Sequence, residues 1–96
     1  YNSADKLLLS IAKTTIGDAF SELNQSKEAI EYYEKAIGIE NNSLTTPIVL
    51  MKCAKLYELE NDYNNALKCY QTIKSDYPES TMSKNIDKYI NNMKDR

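Results

Sequence analysis

The feature that most limits what this chain can fold into is an internal repeat. Shifted along itself by 37 positions, the sequence places Ile16 on Cys53, Gly17 on Ala54 and Phe20 on Tyr57. The same shift places Ala29 on Ala66, Ile30 on Leu67 and Tyr33 on Tyr70. Small residues fall on small ones and aromatics on aromatics, with one internal spacing in both copies, which is the signature of repeated supersecondary units. In each copy a small residue lies three places before an aromatic, so the two share one face of a helix. A second small residue follows nine places later, with an aromatic four beyond it, on one face of a second helix. Small side chains let two antiparallel helices approach closely, while the rings fill the space beside them. Between the helices lie Leu23-Asn24-Gln25-Ser26 and Glu60-Asn61-Asp62-Tyr63, which carry residue types suited to a tight turn or a cap. Each copy therefore reads as a helical hairpin.

Composition agrees with an all-helical reading. The 96 residues suffice for one small domain, and only two Gly and two Pro interrupt them. Hydrophobic residues at 42% and charged residues at 27% are ordinary for a folded chain and too apolar for a disordered one. A net charge of -2 argues against a nucleic-acid partner, because phosphate binding needs clustered Lys and Arg and the one Arg is Arg96. No apolar run approaches the ~20 residues that span a bilayer, and no direct membrane insertion is expected. Cys53 and Cys69 are too few for a disulfide framework and read as small packing residues.

The repeat resembles the tetratricopeptide repeat (TPR), W-x2-L-G-x2-Y, then A-x3-F, then P, over about 34 residues. In the second copy Leu50 stands for the Trp, Cys53-Ala54 for Leu-Gly and Tyr57 for the Tyr; Ala66 and Tyr70 take the Ala and Phe, and Pro78 closes the unit. In the first copy Ile16-Gly17, Phe20, Ala29 and Tyr33 fit, while Lys13 replaces the Trp and Asn41 the Pro. The extra residues Leu44-Thr45-Thr46 account for the longer period. The resemblance implies an all-α fold of about five helices: repeat one over about 10–43, repeat two over 47–80, and a capping helix over about 81–94. It implies a fragment of a right-handed α-solenoid.

Cap and breaker residues place the helices. The first is expected over about Ala4–Leu23 with Ser3 as N-cap, the second over Lys27–Ile39, and the third over Pro47–Leu59 with Thr46 as N-cap. The fourth is expected over Tyr63–Ser75, capped by Asp62, and the fifth from a Ser80 cap to Lys94. Met82, Ile86, Tyr89, Ile90 and Met93 form one apolar stripe on that last helix, with Lys84, Asp87, Lys88, Asn91 and Asn92 on the polar side. It reads as a solvating cap laid over the last repeat. The first helix is longer than a repeat needs, so Leu7, Leu8 and Ile11 are expected to pack against an element upstream of Tyr1.

Catalysis is not expected. The chain has no His, the commonest general base. Two Cys sixteen places apart cannot make a zinc set alone. Glu31 with Glu34, and Glu58 with Glu60 and Asp62, read as solvated helix faces, and Gly17 and Gly38 stand alone rather than in a phosphate loop. No cofactor or metal is expected.

A protein or peptide partner is what the resemblance implies, held on the concave face by the first helix of each hairpin. The outward positions there are Thr14, Asp18, Ser21 and Glu22, then Ile48, Met51, Lys52, Lys55, Glu58 and Leu59. Ile48, Met51 and Leu59 would hold an apolar side chain and Lys55 would meet a carboxylate. One TPR subclass grips C-terminal carboxylates with a Lys and Asn pair; this chain has Thr14 and Asp18 there, and Lys52 at the second-repeat Asn, so that clamp is not expected. The run Tyr70 to Ser80 resembles the last repeat of bacterial cell-envelope members, several of which are tethered through an N-terminal membrane segment or lipid. It implies a periplasmic address for the terminal part of a longer protein, with the cytoplasm as the other address, and a role in envelope protein assembly or translocation. The Leu7-Leu8-Leu9 end supplies a second expectation, a homodimer formed through the first helix.

Overall fold

A computed structural model describes residues 2–96. Five α-helices account for the regular structure: α1 (Ser3–Glu22), α2 (Ser26–Ile39), α3 (Thr46–Leu59), α4 (Tyr63–Asp76) and α5 (Ile86–Lys94), with one 3₁₀ turn, Thr81–Ser83, between the last two. α1 packs on α2 and α3 on α4 as the two expected hairpins; α2 packs on α3 to join them, and α5 packs on α4. The Cα envelope of 42 × 31 × 16 Å is a slab no deeper than two helices of ~10 Å diameter, as a helical-hairpin solenoid with a capping helix should be.

The hairpin turns are identical in both repeats, and Asn is the reason. Asn24 and Asn61 both sit in the left-handed region at φ 61°, where Asn is tolerated better than other side chains. At each turn the next amide donates back across the helix end, Gln25 N–H to the Phe20 carbonyl at 2.9 Å and Asp62 N–H to Tyr57 at 2.8 Å. Asn24 N–H to Ser21 and Asn61 N–H to Glu58, both at 3.0 Å, complete a Schellman closure. Asp62 then caps α4 as expected, accepting from the Asn65 amide, whereas Gln25 in the same place makes no side-chain cap.

The seam is built as its spacing requires. Ala29, Ala36, Ala54 and Ala66 are fully buried, and Tyr33 and Tyr70 lie at 2% and 0% exposure. Gly17 is a true close approach: a Cβ there would sit 2.7 Å from the Tyr33 ring and 3.2 Å from the Ala29 carbonyl. One buried cluster, Ala29, Ile30, Tyr33, Val49, Cys53 and Leu56, spans α2 and α3. A second joins Leu50, Ala54, Ala66, Tyr70 and Ile73 to Ile86, Ile90 and Met93 of α5. Each of those last three apolar side chains is worth ~1.5–3 kcal/mol when fully buried. α5 is thus the expected cap, with Lys84, Asp87, Lys88, Asn91 and Asn92 exposed on its side of the molecule.

Several local expectations change. Asn2, not Ser3, caps α1, its Oδ1 accepting from the Asp5 amide at 2.9 Å. Thr46 lies inside α3 and is 2% exposed, its hydroxyl accepting the Asn42 amide at 2.8 Å. Asn42 Oδ1 in turn accepts the amides of Leu44 and Thr45, so an Asx turn, rather than a threonine cap, starts the second repeat. The fifth helix is broken. Ser80 does cap, but only the 3₁₀ turn, and Asn85 at φ 62° redirects the chain before α5 begins at Ile86. Ile16, paired by the repeat with fully buried Cys53, is 37% exposed because no helix covers that side of α1.

Candidate partner-binding groove

α1 and α3, the first helices of the two hairpins, flank one groove. α2 supplies its floor through Tyr33, which Gly17 admits by having no side chain. The Tyr33 hydroxyl donates to Asp18 Oδ1 on α1. From α3, the Lys52 ammonium donates to both oxygens of the same carboxylate, at 2.9 and 3.1 Å. Asp18 thereby ties three helices together. The two charged side chains are 38% and 43% exposed, so their pairing contributes at most ~1 kcal/mol. Its effect is to fix where the charges stand. Burial first, and the bond to Asp18 second, push the Tyr33 phenol well above its ordinary range, so it remains a neutral donor.

The groove has a polar half and an apolar half that share Asp18. The polar half, about 400 Å³, is lined by Asp18, Ser21, Glu22, Tyr33, Lys52, Lys55 and Leu56. The apolar half, about 260 Å³, is lined by Ser10, Ile11, Thr14, Thr15, Asp18, Thr45, Ile48 and Val49. Ile11 and Ile48 stand 47% and 44% exposed across it. Thr14 spends its hydroxyl on the Ser10 carbonyl at 3.0 Å, so it offers the groove mainly a methyl group.

The concave-face candidates divide. Thr14, Asp18, Ser21, Glu22, Ile48, Lys52 and Lys55 line the two halves. Met51 is partly buried against the core that α5 closes. Glu58 accepts the Tyr70 hydroxyl, holding the second seam as Asp18 holds the first. Lys55 lines the polar half with its ammonium 4.0 Å from the Tyr89 ring centre, a cation–π contact. Leu59 stands 70% exposed outside the groove.

Sequence reasoning missed Tyr33 and Leu56 as groove-lining residues, and Ser10, Ile11, Thr15, Thr45 and Val49 in the apolar half. Tyr33 carried a signal only for the seam, and its ring does serve the seam while its hydroxyl reaches the groove. The thiols take no part. Burial raises both, Cys53 strongly and Cys69 to about 11, so neither carries thiolate character near neutral pH. Among the described residues no helix is long and apolar enough to cross a membrane.

Two tetratricopeptide-repeat family models match, one over residues 12–43 and the other over residues 49–80. Each match covers one hairpin. Comparisons with curated proteins and with solved structures give no match. Repeats of this kind are typically non-catalytic and generally serve as protein–protein interaction modules. With both hairpins, their small-aromatic seam and their turns accounted for, the chain belongs to the tetratricopeptide-repeat family.

Proposed function

We propose that this chain holds a segment of another protein along the groove between α1 and α3. The observation that carries the reading is the Asp18–Lys52 pair, fixed by the Tyr33 hydroxyl beside the apolar pocket of Ile11, Ile48 and Val49. An apolar pocket next to fixed polar groups is how a peptide groove obtains affinity and orientation together. The exposed carboxylate and ammonium edges suit main-chain amides and carbonyls of a bound segment, while Ile11 and Ile48 suit an aliphatic or aromatic anchor.

A finer reading is that the partner belongs to bacterial envelope protein assembly or translocation. It is supported by the likeness of the Tyr70–Ser80 run to the closing repeat of envelope members of the family.

One experiment tests both. Crosslinking pull-downs from source-cell extract would compare the parent with an Ile48→Asp/Lys52→Glu double variant whose melting curve shows it folded. A protein captured by the parent and reduced at least ~10-fold by the variant is expected, since two groove contacts of hot-spot quality are lost. Equal capture by both would sink the groove. The identity of the captured protein decides the finer reading: an envelope assembly or translocation component supports it, and a purely cytoplasmic set of partners overturns it.

A further inference from the structure

The two walls of the groove carry matched positions of the repeat. Ile11 and Ile48, 37 residues apart, are equivalents, and both line the apolar half. Seven residues further along each helix come Asp18 and Lys55, again equivalents, and both line the polar half. Their charges are opposite, yet they do not pair with each other. Asp18 is already satisfied by the Lys52 ammonium and the Tyr33 hydroxyl. Lys55 forms no ion pair among the described residues. Its ammonium lies instead 4.0 Å from the centre of the Tyr89 ring, a contact that holds the group in place without cancelling its charge. Tyr89 is itself held by stacking on the buried ring of Tyr70. At this level the groove therefore presents a neutralised carboxylate on one wall and an uncompensated, positioned ammonium on the other.

We infer that Lys55, propped on Tyr89, receives an acidic side chain of the bound segment, three residues from the apolar residue seated between Ile11 and Ile48. The inference rests on the groove reading above and states the chemistry of the segment the groove selects. The spacing follows from geometry. The seven residues from Ile48 to Lys55 rise ~10.5 Å at 1.5 Å per residue. In an extended, polyproline-II-like segment, side chains three apart return to one face after ~9.3 Å, whereas a spacing of two falls short and turns the second side chain away. Halves of about 260 and 400 Å³ admit single side chains rather than the body of a ~10 Å helix. Glu22 sets the far limit. It lies one turn past Asp18 on the other wall, ~6 Å further on, and repels a carboxylate placed two residues beyond the preferred one. The capping helix thereby gains a second task, since its Tyr89 positions the cation that reads the partner.

Short random peptides, displayed with both ends joined to a carrier so that only side chains supply carboxylates, would be selected on the intact chain. Those also retained by Ile48→Asp/Lys52→Glu are discarded. The survivors should share an aliphatic or aromatic residue and an Asp or Glu three places from it. For one such peptide, synthesised with blocked termini, replacing the Glu by Gln should weaken binding about five-fold at low ionic strength, and less in high salt. Lys55→Glu should reverse the preference, so that the peptide with Lys in that place binds better than the one with Glu. Tyr89→Leu should bring the Glu-over-Gln ratio close to one while affinity for the Gln peptide stays unchanged, a result that loss of fold would not give. Groove-dependent peptides without an acid at that spacing overturn the inference and leave the groove standing. An acid preference that survives Lys55→Glu overturns it as well, and one that survives Tyr89→Leu removes the capping helix from it. If no selected peptide depends on the groove, the groove reading fails and this inference fails with it.

Discussion

Tyr70 in the second hairpin is fully buried, stacks on Tyr89 of α5 with ring centres 5.1 Å apart, and donates its hydroxyl to Glu58. Its counterpart Tyr33 is as well buried but, among the described residues, has no ring stacked on it; its hydroxyl goes to Asp18, which also holds Lys52 across the groove. The two tyrosines fill the same seam position, and burial raises the phenol of each. What differs is the neighbourhood. The second hairpin lies between α2 and α5, covered on both sides, while the first has α3 on one side and an open face on the other. The repeat thus dictates how each hairpin closes, and position in the stack dictates what the shared residues do next. In the second, the tyrosine hydroxyl serves closure; in the first, it serves the groove.

That comparison can be broken or sharpened by paired substitutions read as thermal and urea unfolding. The largest effect is expected from Tyr70→Ala, about 4 kcal/mol, because it removes a buried ring and the stack with α5 together. Tyr33→Ala should cost less, about 3 kcal/mol, having no stacked partner to lose. Equal losses would mean that the capping helix adds nothing to the second seam. A smaller effect should come from exchanging the seam residues that differ. Gly17→Ala drives a Cβ into a ring held on two sides, and overpacking should outweigh the helix-propensity gain of ~1 kcal/mol, leaving a net loss of about 1 kcal/mol and a melting point ~5 °C lower. A stabilised Gly17→Ala would show that Tyr33 can shift, and that the hydrogen bond to Asp18 is not fixed in place. The smallest effect, and the one expected to be the same in both repeats, belongs to the turns. Asn24→Ala and Asn61→Ala should each cost ~1 kcal/mol or less, because alanine tolerates the left-handed region poorly. Clearly unequal costs would show that the shared turn geometry conceals different local strain.

Much of this architecture was legible in the sequence because it is local and repeated. The Gly17/Ala54 and Ala29/Ala66 positions, with their aromatics, specify two hairpins wherever they occur in a stack. Asp62 and Ser80 announce caps, and the stripe from Met82 to Met93 announces a cover for the second repeat. The roles of residues on α3 were harder to read, since they depend on helices far away in the chain. Met51 and Glu58 share the expected concave helix with Ile48 and Lys52, but α5 and Tyr70 engage the first two and leave the groove to the others. Lys55 shows the same dependence, because the ring beneath its ammonium comes from α5. Thr46 misled for a related reason. A threonine before proline looks like a cap, yet the Asx turn at Asn42 takes that duty and draws the threonine hydroxyl back to receive an amide. The break at Asn85 had only a single asparagine as its signal, and asparagine also occurs freely on helix surfaces.

The outward side of α5 carries Asp87, Lys88, Asn91 and Asn92, with Lys84 just before it, while the outward side of α1 carries a line of leucine, isoleucine and alanine. Apolar contact on the α5 side would have to desolvate charged and amide groups with nothing to receive them, whereas the α1 line gives up little by leaving water. Among the described surfaces the repeat stack is therefore polar along its length, receptive to apolar packing on the α1 side and closed to it on the α5 side.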